Sequence, residues 1–277
     1  MKRLSNKILI VLGCILSGMV IYSCSKDFLS QPPYGSASQE DLNSKDGVNG
    51  LLISAYSMLD GTGYDDWLVG TDQTTVWNPW AGSVAADDGH KGGGYGRQPE
   101  RQELEGKTFT SNNTILENRW KFGYAAVQRA NETIRGLARV NSGIFTDAEA
   151  LQVVAEARFL RGYYHYELAK MFRNIPYVAD TVTFAAGNYK VTNRPSGPGG
   201  PEGENWSKVE ADLQFAIDNL PATQSQVGRV NSWAAKAVLA KALMQQAKMT
   251  QALPILTDLI NNGVTQKGVK YDLNPQF

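Results

Sequence analysis

The residues best placed for chemistry lie in a stretch with no sustained period, Thr62 to Phe109. Trp67, Trp77 and Trp80 fall within it, together with Tyr64 and Tyr95, among many Gly, Asp and Asn residues. A flat aromatic ring can desolvate the C–H face of a sugar ring, while polar neighbours bond the hydroxyls. Asp72, Gln73, Asn78 and Arg97 are available for that polar part. The run Trp77-Asn78-Pro79-Trp80 leads the candidates, because two indoles flank a polar turn. The alternative is that these rings pin a long loop onto its scaffold. Loops beyond about 12–15 residues without regular structure are usually functional or disordered, and disordered segments are poor in aromatics.

Other chemistries find less support. Asp87, Asp88 and His90 are weak metal candidates. A calcium site takes roughly 6–8 oxygens, and no EF-hand spacing is present. Carboxylates in a turn that accept backbone N–H bonds fit these residues better. Hydrolysis of a glycosidic bond needs two carboxylates across the scissile bond, whereas Asp65/Asp66 and Asp87/Asp88 are adjacent in sequence. Gly92-Gly93-Gly94 lacks the lysine and hydroxyl residue of a phosphate loop. His165 falls among tyrosines in a helical pattern and reads as a packed residue. Arg158 and Arg161, three apart on that helix, read as part of a structural ion network with nearby Glu156 and Glu167. No catalytic residue and no cofactor is expected.

The chain start sets the compartment. Lys2, Arg3 and Lys7 precede an apolar run from Ile8 to Tyr22, too short for a comfortable membrane span. Ser23-Cys24 follows, in the manner of a bacterial lipoprotein cleavage box. Residues 1–23 then form a signal peptide, and Cys24 becomes the lipidated N-terminus, held at the membrane by acyl chains such as palmitate. The alternative is an uncleaved helical anchor. Residues 24–43 read as a lipid-anchored tether, rich in Pro and Ser between Ser30 and Ser38. Cys14 belongs to the discarded segment, which leaves no pair for a disulfide. The formal net charge of the 277 residues is zero, which argues against nucleic acid as a partner.

The remainder, 44–277, reads as all-α. Helical spacing predicts helices over Ser44–Asp60, Asn113–Val140, Asp147–Pro176, Trp206–Leu220, Asn231–Met249 and Thr250–Ile260. The third is the centre of the pattern. It carries two apolar rows, so it should be buried on more than one side. Thr146 and Glu149 form a capping box at its start, and Pro176 is read as its terminator. Gly162, costing about 1 kcal/mol relative to Ala in mid-helix, calls for a close crossing by a neighbour. Leu116, Trp120, Tyr124, Val127 and Ala130 mark the expected buried face of the preceding helix, and a hairpin through Asn141-Ser142-Gly143 is expected between the two. Pro254 is read as lying in a first turn, where it is tolerated. Val178–Tyr189 is read as a short strand or an irregular crossing. Small residues at helix crossings suggest tetratricopeptide-like hairpins with long inserted loops.

Several separated stretches resemble one family. AEARFLRGYYHYELAKMFRNIPYV (155–178), NRWKFGYAAVQRANETI (118–134), GSVAADDGHKGG (82–93) and the helix pair over 228–263 are similar, in order, to SusD/RagB outer-membrane lipoproteins. Most members carry alanine where this chain has Gly162. The Ser25-Lys26-Asp27-Phe28-Leu29 stretch, with one acidic residue, is similar to the acidic export signal of surface lipoproteins of the Bacteroidetes. The resemblance implies a helical, surface-exposed lipoprotein of the cell outer membrane. It also implies capture of a glycan or other nutrient for a TonB-dependent, SusC-like transporter, without covalent chemistry. Members are usually near twice this length, so the chain is expected to correspond to the N-terminal portion of such a protein. The alternative to capture is a structural lipoprotein that grips the transporter or another surface protein without binding glycan itself.

Overall fold

The computed structural model describes residues 39–61, 80–93, 98–194, 203 and 205–272. The chain divides into two compact units, Met1–Asp41 and Leu42–Phe277, and the helices numbered below lie in the second. They are α1 (Lys45–Ser57), α2 (Pro99–Glu105), α3 (Thr114–Arg139), α4 (Asp147–Phe172), α5 (Trp206–Asn219), α6 (Ser232–Gln245) and α7 (Met249–Asn262). A single turn, Gln39–Leu42, and a π-helical turn, Trp80–Val84, stand outside this series. Among the described residues the only β pairing is a bridge between Val264 and Lys270. No helix among them is long and apolar enough to cross a membrane. The fold is all-α, built from helix hairpins.

Helix starts follow local chemistry. Ser44, Asn113, Thr146 and Asn231 are N-caps whose side chains accept from backbone N–H groups of the first turn, and Thr146 and Glu149 complete a capping box. The helix ends depart more from expectation. α4 stops at Phe172, not at Pro176, because Arg173 turns the chain with φ of 58°. α6 stops at Gln245, and Ala247 takes φ of 58° before α7 begins. Pro254 is the sixth residue of α7, beyond the first turn. Its missing N–H leaves the Thr250 carbonyl without its helical donor, and Thr250 faces water, which limits the penalty.

Each helix packs on its neighbour in the chain from α3 to α7, and α1 lies against both α3 and α4. α3 and α4 form the expected antiparallel hairpin, with Gly123 beside Leu168 and Asn131 bonded to Arg161. α4 is buried on several sides, with Leu160 and Tyr164 inaccessible or nearly so. A Cβ added at Gly162 would sit 3.1 Å from the Asp212 Cβ and 3.2 Å from the Leu213 Cγ. The missing side chain is therefore what lets α5 cross α4 closely. Gly162→Leu is expected to cost about 3 kcal/mol through overpacking, read as a lower urea midpoint. Gly162→Ala should stay within about 1 kcal/mol, because gained helix propensity offsets a tight contact. Equal stability of the leucine and alanine variants would contradict the close crossing.

Beyond α4 the chain runs irregularly across α3, α4 and α5 instead of forming a strand. Its backbone groups are satisfied by side chains, as buried irregular chain requires. The Asn205 amide donates to the Ile175 carbonyl, Tyr124 to Pro176, Asn131 to Val178 and Arg135 to Asp180.

Candidate functional site

The most concentrated polar chemistry in the described protein is a buried hub where α4, α5 and the irregular crossing meet. Asp212 is completely inaccessible. Its carboxylate accepts from Arg161 Nε at 2.7 Å and Nη2 at 2.7 Å, from Arg158 Nε at 2.8 Å, and from the Tyr177 hydroxyl. Arg161 also donates to Asn131 and to Asp180. Burial opposes ionisation of Asp212, yet the bonds from Arg161, Tyr177 and Arg158 outweigh it and hold its carboxyl below the usual range. Burial pushes the Tyr177 phenol up, and the Asp212 charge pushes it further.

His165 lies beside this hub, stacked on Tyr177 with ring centroids 4.4 Å apart. Val178 N–H donates to its Nε2 at 3.1 Å, so Nδ1 carries the proton and donates to the Arg161 carbonyl at 2.9 Å. Burial pushes this imidazole down to about 4. A neutral, fully bonded, inaccessible histidine has no route to a substrate. The hub is a clamp on the fold, and two arginine charges face two carboxylates within it.

The described surface carries an aromatic groove of about 730 Å3. Trp120, Tyr124 and Phe172 form its wall, with Phe109 at the mouth and Glu117 and Lys121 at the rim. Trp120 is 39% exposed and meets Phe172 edge-on, with centroids 5.2 Å apart. Expected to be core, Trp120 instead faces outward. At this end of α3, Ile115 and Arg119 take the buried positions one residue earlier, and the predicted row turns inward through the half-buried Tyr124 to reach full burial at Val127 and Ala130. The rows at 115/119 and 116/120 are both available at helical spacing, so α4 decides between them. Asp212 was also missed. Its signal was an acidic residue on the apolar stripe Val209, Leu213, Ala216.

Trp67, Trp77, Tyr64, Tyr95, Asp72, Asn78 and Arg97 lie outside the described residues, as does Cys24. Trp80 is described only as the first residue of the π-helical turn. Asp87 and Asp88 lie in the turn after it. Asp87 has φ of 71°, and the Asp88 N–H donates to the Ser83 carbonyl. His90 pairs with Glu105 on α2 and not with either aspartate. Among the described residues no group of three His, Cys, Asp or Glu side chains is arranged to hold a metal ion. The anticipated partners of Glu156 and Glu167 are cations from elsewhere than Arg158 and Arg161. Arg229 and the Tyr56 hydroxyl reach Glu156, and Lys170 reaches Glu167.

The model of the SusD-like family described as "starch-binding associating with outer membrane" matches residues 27–244. The chain belongs to the SusD-like family. It is 28% identical to SusD-like protein P2 of Formosa agariphila over 172 residues, 61% of this chain and 32% of that protein. It is 29% identical to a SusD-like protein of Bacteroides ovatus over 132 residues, 48% of this chain and 23% of that protein. Among solved structures, a laminarin binding SusD-like protein matches with a TM-score of 0.64 at 23% identity, over 83% of this chain and 46% of that one. Surface glycan-binding protein A from Bacteroides thetaiotaomicron matches with a TM-score of 0.63 at 19% identity, over 84% and 45%. At these identities the structural matches establish the fold. This SusD-like chain spans less than half the length of each of these four proteins.

Proposed function

We propose that this SusD-like chain is part of a surface lipoprotein that captures a glycan or related nutrient and delivers it to a TonB-dependent, SusC-like transporter in the outer membrane. The family match over 27–244, a family described as starch-binding and outer-membrane associated, carries the reading. The naming of similar proteins for laminarin and surface glycans adds to it. In this reading Cys24 carries the acyl chains and places the protein on the outer face of the membrane. Trp77 and Trp80 supply the principal platform for a sugar face. Trp67, Tyr64 and Tyr95 extend it, while Asp72, Asn78 and Arg97 bond hydroxyls. No bond in the ligand is made or broken, and no cofactor takes part.

The double variant Trp77→Ala/Trp80→Ala is the test. Affinity electrophoresis in starch and laminarin gels should show wild-type protein retarded and the variant migrating freely, a loss of about tenfold or more in affinity. Co-purification with the outer-membrane transporter should be unchanged. The second reading, an interaction lipoprotein without its own glycan site, draws on the exposed groove at Trp120, since tryptophan and tyrosine are also common anchors between proteins. Loss of co-purification in the double variant or in Trp120→Ala, with no glycan affinity in the wild type, would favour it.

A further inference from the structure

A second depression in the described protein is polar where the Trp120 groove is apolar. It has a volume of about 210 Å3 and lies between α1, the first turns of α4 and the loop over residues 224–229. Its apolar floor is Leu52 and Val153, with the Phe145 ring at one side. Around that floor stand planar polar side chains of both hydrogen-bonding senses. Gln152 bridges Glu156 and Gln224, at 3.2 Å and 3.1 Å. Lys45 meets Glu149 at 2.6 Å, and Arg229 meets Glu156 at 3.1 Å, so two ion pairs hold the walls.

These internal bonds leave capacity unspent. Lys45 uses one of three ammonium donors on Glu149, and Arg229 directs Nη1 and Nε into the walls. Asn49 and Ser225 contribute a carboxamide and a hydroxyl to the lining. The charges cancel, with two cations facing two carboxylates, so a net-charged ligand gains little. A neutral ring bearing adjacent hydroxyls suits such a lining, because each hydroxyl both donates and accepts, and planar amide and carboxylate groups can address two at once. The cleft has room for one sugar ring rather than a chain.

We infer that the cleft between Asn49, Gln152 and Ser225 is a second saccharide contact, taking a single neutral sugar unit apart from the aromatic loop. It rests on the glycan-capture reading and adds to it a contact on the helical scaffold. The test is protein-observed NMR of the purified chain, titrated separately with glucose, galactose, mannose, xylose and N-acetylglucosamine, with glycine as a zwitterionic control. At least one sugar should shift the backbone amides of Asn49, Gln152 and Ser225 in a saturable way. Asn49→Trp, which fills the cleft, should weaken that binding by about tenfold. Ser225→Tyr, on an exposed loop, serves the same purpose should the first variant perturb α1. No saturable shift with any of the five sugars overturns the inference, as does a shift with glycine alone or one that survives both variants. Gel retardation that depends on Trp77 and Trp80 reports the capture reading separately. Retardation present without cleft shifts sinks the cleft alone, and loss of both sinks the two together.

Discussion

Replacing Asp212 by alanine is expected to lower the unfolding free energy by about 3–5 kcal/mol, the cost of leaving a buried charge without its partner. Arg161 has a side chain only 5% exposed and would lose its two-point contact, keeping Asp180 as its one carboxylate beside the neutral Asn131 amide. Arg158 and the Tyr177 hydroxyl would lose the same acceptor. The Asp212 hub joins α4, α5 and the irregular crossing, so its loss should loosen all three. Urea unfolding followed by circular dichroism and tryptophan fluorescence measures the effect. Asp180→Ala is the control. That carboxylate is 31% exposed, and its removal should cost about 1 kcal/mol or less. Comparable losses for the two variants would show that burial at Asp212 is not the source of the effect.

The second large effect is on pH. His165 is held neutral, with its imidazole pushed down to about 4 by burial. Unfolded, it returns to a value near 6.5, so the unfolded chain takes up this proton first as pH falls. Its contribution is therefore complete above about pH 6.5 and is lost on acidification toward pH 4, a span of roughly 3 kcal/mol. Between pH 7 and pH 5 the chain should lose about 2 kcal/mol from this group. The groups facing it are Arg161 and Asp212, whose opposed influences partly cancel, and burial dominates. The chain has two histidines, so an NMR titration gives two imidazole signals, and His90→Gln assigns them. A His165 signal titrating near pH 6.5 in the folded protein would refute the argument.

Both predictions concern residues whose surroundings no linear pattern displays. His165 was legible as a packed helix residue because it stands among tyrosines in an apolar run. Its bonding was not, since the Val178 N–H that fixes its tautomer arrives from the irregular crossing. Arg158 and Arg161 were legible as members of an ion network. Their shared acceptor lies more than fifty residues away on α5. Spacing reports which residues share a helix face but not which distant helix that face meets.

The sequence alone determined the all-α class, the capping box at Thr146 and Glu149, and the hairpin of α3 with α4, because propensity, capping and periodicity act over a few residues. It also determined the family, through separated stretches in a constant order. Tertiary structure alone decided where α4 and α6 stop, since Arg173 and Ala247 adopt φ of 58° with no glycine to announce the turn. It decided that Trp120 faces outward while Arg119 is buried, against the more apolar row of Leu116 and Trp120, because packing against α4 chose the face. It also brought Asn49, Gln152 and Ser225 to one cleft. Residues so far apart meet only when three elements close on one another, and burial of the apolar rows, not the cleft itself, drives that closure.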